Sequence, residues 1–102
     1  MSILHTINKS PYEHGALFSC LRLAAVQSSI LLFENGVYAA LPGHPAQQPL
    51  ETYAAHSQIF VLEPDLLARG LQTQPLLEGI ERVDYPGFVD LCVRHAKVVS
   101  WF

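Results

Sequence analysis

Short apolar runs alternate along this chain with segments of helical period, the pattern of an α/β fold on a mainly parallel sheet. Ile3-Leu4-His5-Thr6 is the first predicted strand. Ser10-Pro11-Tyr12-Glu13 then reads as a helix start, with Ser as N-cap, Pro at the first helical position and Glu at the third. That helix is expected from Pro11 to about Val26, with Leu17, Leu21, Ala24 and Ala25 facing inward. Ser29-Ile30-Leu31-Leu32-Phe33 is a continuous apolar run, as a central parallel strand buried on both faces requires.

Glu34-Asn35-Gly36 ends that strand, and a short helix is expected over Val37 to Leu41. Pro42-Gly43-His44-Pro45 and Pro49 predict an exposed loop. Ile59-Phe60-Val61-Leu62 is the third strand, and Pro64 to Gly70 a short helix with Pro near its start and Gly past its end. Arg82-Val83-Asp84 predicts a brief fourth strand, followed by a helix from Phe88 to about Ala96. Val98-Val99-Ser100-Trp101-Phe102 closes the chain as a strand that needs a sheet neighbour or a partner to cover it. The expected architecture is one domain over residues 1–102, with about five strands flanked by helices on both faces.

The chain has 102 residues, half of them apolar and 15% charged, enough apolar surface to fold. A domain this small has a modest core, which makes oligomerisation plausible. Six Lys and Arg against nine Asp and Glu leave a net charge of -3, without the basic footprint that nucleic acid requires. Direct nucleic-acid binding is therefore not expected. No apolar run approaches the roughly 20 residues of a membrane span, and Met1-Ser2-Ile3-Leu4 opens no signal-type stretch. A soluble, cytoplasmic protein without membrane contact is the expectation.

Candidate chemistry is sparse. The five histidines His5, His14, His44, His56 and His95 form no i, i+4 pair and have no Cys at ligand spacing, so no metal site is predicted. His5 reads as a hydrogen-bonded strand residue, His44 and His56 as solvated. GxSxG, P-loop and GxGxxG motifs are absent. Cys20 and Cys92 lie too far apart for a CxxC. On a helical wheel Cys20 falls at the flank of the apolar stripe around Leu17, where a thiol can be partly exposed. Cys92 falls near the centre of the stripe around Phe88 and reads as structural. Glu34-Asn35-Gly36 stands at a strand's carboxyl end, where open α/β sheets place ligands, although a plain turn explains it as well.

Four segments together resemble the DsrH/TusB family: Leu4-His5-Thr6-Ile7-Asn8-Lys9-Ser10-Pro11, Leu31 to Ala40 with Glu34-Asn35-Gly36-Val37-Tyr38-Ala39-Ala40, Val61 to Gly70 with Pro64-Asp65-Leu66-Leu67-Ala68-Arg69-Gly70, and Val83 to Leu91. Trp101 fits the same pattern, and the resemblance spans almost the whole chain, closest to the DsrH branch of sulfur oxidisers. It implies a subunit of a cytoplasmic heterohexameric persulfide relay, a dimer of heterotrimers with DsrE-like and DsrF-like sister subunits and a small DsrC/TusE-like carrier as acceptor. It also implies that the indispensable persulfide cysteine sits on a sister subunit, with Cys20 at the first-helix position where DsrH-type chains carry a thiol. Cys20 is thus the single candidate catalytic residue. The relay step needs only a thiolate attacking the outer sulfur of a persulfide, with no metal or organic cofactor. The alternatives are a purely structural subunit, a subunit of a TusBCD-type relay for tRNA 2-thiouridine, and a separate small-molecule enzyme at the Glu34 loop.

Overall fold

Among the described residues five strands, all parallel, form one sheet. The computed structural model describes residues 2–24 and 28–102. In chain order the elements are β1 (Ile3–Ile7), α1 (Ala16–Leu23), β2 (Ser29–Leu32), a 3₁₀ helix (Glu34–Ala40), α2 (Gln47–Ala54), β3 (Gln58–Leu62), α3 (Glu63–Ala68), β4 (Ile80–Val83), α4 (Tyr85–Arg94) and β5 (Lys97–Trp101). The strands step from β1 to β4 in one direction, and the chain then crosses back to lay β5 on the free side of β1. This reversal divides the helices between the two faces, because right-handed crossovers running in opposite directions lie on opposite sides of a sheet.

Strand periodicity assigns the side chains. Ile7, Ile30, Leu32, Ile59 and Val61 face one way and pack with Leu17, Cys20, Leu50 and Leu66 from the helices. Leu4, Leu31 and Phe60 face the other way and pack with Leu91 of α4. Every residue of β2 is buried, as its unbroken apolar run predicted. The terminal strand finds its neighbour in β1, paired from Ile3↔Lys97 to Ile7↔Trp101.

Several boundaries differ from expectation. The first helix begins at Ala16, not Pro11. The Ser10 carbonyl accepts the N–H groups of both Glu13 and His14, and the Ser10 hydroxyl accepts that of Tyr12, which closes a separate turn. His14 Nδ1 then accepts the Ala16 N–H and satisfies one donor at the true helix start. The expected helical end near Val26, with Ala25 inside, lies outside the described residues. Instead of a helix from Val37, a 3₁₀ helix starts directly at Glu34. The expected Pro-rich loop contains α2, with Pro49 at the third helical position, where a missing N–H costs nothing.

Gly36 lets this 3₁₀ helix press against β1. A Cβ there would collide with the Ile7 carbonyl oxygen, which already accepts the Phe33 N–H.

Candidate functional site

Cys20 lies in the second turn of α1 and is fully buried, at 0% exposure, among Leu17 and the strand side chains beneath it. The flank position predicted for it is corrected by the burial of Ala16, Leu17 and Cys20 together, which centres the inner stripe of α1 near Cys20 and leaves Leu21 at its edge. Burial pushes the thiol up to about 12, so thiolate is scarce at neutral pH. Nearby Tyr53 is also raised by burial, with the Ser28 and Ser57 hydroxyls pulling it back and Cys20 adding to the rise.

Cys92 shows the converse. It is half-buried on α4, where Leu91 occupies the inner face that the wheel gave to Cys92. Its thiol is raised by desolvation as well. The two cysteines have therefore exchanged the environments expected of them.

At the carboxyl ends of the strands, the structure brings the Glu34-Asn35-Gly36 segment against α3. The Glu34 N–H donates to Asp65 Oδ2 at 2.6 Å, and this holds Glu34 at a φ of 49°, a conformation uncommon outside glycine. Arg69 donates through Nε and Nη2 to Asn35 Oδ1 at 3.0 and 2.9 Å. Ser10, Tyr12 and Tyr38 line a hollow of about 360 Å³ beside Asn35. Asp65 and Arg69 are thus occupied in tying α3 to the 3₁₀ helix, and the arrangement reads as a brace.

The histidines scatter. His5 is buried on β1 and accepts the Trp101 indole N–H at Nδ1, while its Nε2 has no partner. His44, expected in solvent, is 5% exposed. Its Nε2–H donates to the Ala39 carbonyl and its Nδ1 accepts the Ala46 N–H, so the ring pins the segment between the 3₁₀ helix and α2. His56 is exposed. Among the described residues no three His, Cys, Asp or Glu side chains gather in a metal-holding group. Sequence reasoning missed His44, and the Gly43-His44-Pro45 context masked it as loop.

The chain matches the family model described as DsrH like protein over residues 9–98. It belongs to the DsrH family. Among its relatives is the protein TusB of Yersinia pestis (strain Pestoides F), 39% identical over 99 residues, which cover 97% of this chain and 100% of that one. Yersinia pseudotuberculosis (strain IP 31758) has a TusB with the same identity and coverage. The ychN protein from E. coli superposes with a TM-score of 0.87 at 25% identity, over 98% of each chain. A protein of unknown function from Methanobacterium thermoautotrophicum shares the fold at a TM-score of 0.78 and 14% identity, over 97% of each chain. The DsrH/TusB family to which the chain belongs is one of sulfur-relay proteins. No helix among the described residues is long and apolar enough to cross a membrane.

Proposed function

We propose that this DsrH-like chain acts as one domain over residues 1–102 in a cytoplasmic, heterohexameric persulfide relay, contributing assembly while sulfur is carried on a sister subunit's cysteine. The observation that carries this reading is the Cys20 thiol, at 0% exposure and pushed up to about 12. Sulfur transfer requires a thiolate that an outer sulfur can reach, and Cys20 offers neither in this conformation. Its partners are DsrE-like and DsrF-like subunits in a dimer of heterotrimers, with a small carrier protein of the DsrC/TusE kind as acceptor. The TusB name of full-length relatives favours delivery toward tRNA 2-thiouridine, and the acidic balance of the chain leaves RNA contact to another protein. The DsrH family model favours a second reading, the same relay serving intracellular sulfur oxidation.

The test is transfer from the reconstituted complex to its carrier with Cys20→Ala in this chain. Unchanged transfer and unchanged assembly are expected. A sulfur atom mapped by mass to Cys20 during turnover, together with lost transfer in the Cys20→Ala complex, would make Cys20 an acceptor and donor in its own right.

A further inference from the structure

Between α1 and α2 runs an open groove of about 700 Å³, within the range of small-molecule sites. Phe18, Leu21, Pro49 and Tyr53 form its apolar surface, and Arg22 and His56 stand with them. Phe18 is 39% exposed.

Charge narrows the choice of ligand. The chain carries an excess of carboxylates, yet none lines this groove. Arg82 and Arg94 are engaged in ion pairs with Glu63 and Asp90, and Arg69 is tied to Asn35. Arg22 is the arginine left without a side-chain partner among the described residues. An apolar trough with an uncommitted guanidinium at its side is complementary to an apolar body bearing one anionic group. Length favours a small molecule over a docked helix. Both α1 and α2 have eight residues, so each wall is only about 12 Å long. A medium-chain fatty acid or a fused-ring aryl acid fits that span.

From this geometry we infer that the groove binds a free amphiphile of this class, with Arg22 holding its anionic group and Phe18, Leu21 and Tyr53 taking its apolar body. The site is distinct from the brace at the strand ends and from the sulfur chemistry of the family.

Fluorescence titration of the full chain with anilinonaphthalene sulfonate, with decanoate as competitor, tests the site. Saturable binding at one site per chain, displaced by decanoate, is expected. Arg22→Glu should weaken it about tenfold, the loss of one charge-assisted contact. N-phenylnaphthylamine, which keeps the rings but lacks the sulfonate, should bind more weakly and respond little to Arg22→Glu. Thr52→Trp, an exposed position on the groove wall, should block both probes, and Val93→Lys on α4 should change neither. Circular dichroism confirms that each variant folds, and Arg22→Gln replaces Arg22→Glu if the latter does not. Binding that ignores Arg22 and Thr52, that is lost in Val93→Lys, or that never saturates overturns the inference.

Discussion

The indole N–H of Trp101 donates to Nδ1 of His5 at 3.0 Å, joining strands β5 and β1 through their side chains. Indole can only donate, so Nδ1 must be unprotonated and the remaining proton sits on Nε2. The hydrogen bond is available to the neutral ring alone. His44 obeys the same rule, because its Nδ1 accepts the Ala46 N–H.

Acid should therefore loosen the fold. Burial lowers the affinity of both His5 and His44 for a proton, with the Ala39 carbonyl and Glu51 partly opposing this at His44. Below the ordinary value of 6.5 the unfolded chain binds protons that the folded chain resists, so stability falls with pH from there toward the lowered folded values. The urea midpoint, followed by the fluorescence of the single tryptophan, should drop between about pH 7 and about pH 5. Trp101→Phe, which removes the fluorescent probe and is followed by circular dichroism instead, should cost about 1–3 kcal/mol at neutral pH, since it leaves Nδ1 of a buried ring unpaired. A midpoint flat across that pH interval would contradict the assignment of both tautomers.

Two glycines should answer differently to the same substitution. Gly36→Ala drives a methyl group into the Ile7 carbonyl, and a cost at or above the usual 1–3 kcal/mol of overpacking, about 3 kcal/mol, is expected. Gly15→Ala meets nothing within 4 Å at a negative φ, and should be neutral or stabilise by about 0.5 kcal/mol. Denaturant melts of the pair check this.

Alkylation should separate the cysteines. With Cys20 sealed and Cys92 half-buried, iodoacetamide should modify Cys92 first in the native chain, and Cys20 only on the timescale of opening or unfolding. Peptide mapping at short times reads the order directly. Faster labelling of Cys20 would show that α1 opens readily.

Val89 and Val93 on α4 are exposed at 62% and 77%, and Val98 and Phe102 at 42% and 80%. Val93→Asp should leave the unfolding free energy of the isolated chain, from a urea melt, within about 0.5 kcal/mol of wild type, as an exposed position allows. In the proposed relay it should reduce recovery of the sister subunits on co-purification. Full recovery would move the assembly surface elsewhere.

Much of the fold was legible because the signals were redundant. The run from Ser29 to Phe33 is too apolar and too short for anything but a central strand, and Val98 to Trp101 needed a neighbour and has one. What failed were local signals with two physical solutions. Ser10-Pro11-Tyr12-Glu13 looks like a helix start, but the same Ser and Pro close a turn once the Ser10 carbonyl takes two N–H groups. Pro49 suggested a loop, yet proline is harmless in a first helical turn, where no N–H partner is required. The cysteines were misread because the wheel gives angles only relative to a chosen residue, and the packing of α1 and α4 on the sheet sets which angle is innermost.

The position of β5 next to β1 governs how the protein can be made. Thr6 and Ser100 share a hydrogen bond across 94 positions of sequence, and β1, which lies between β2 and β5, is synthesised before the other four strands described. Until residues 97–101 arrive, one side of β1 presents unpaired N–H and C=O groups, a template for any other extended chain. Loss of β5 would leave that template permanently open, so chains cut short before Lys97 should fail by aggregation before they fail by lost activity.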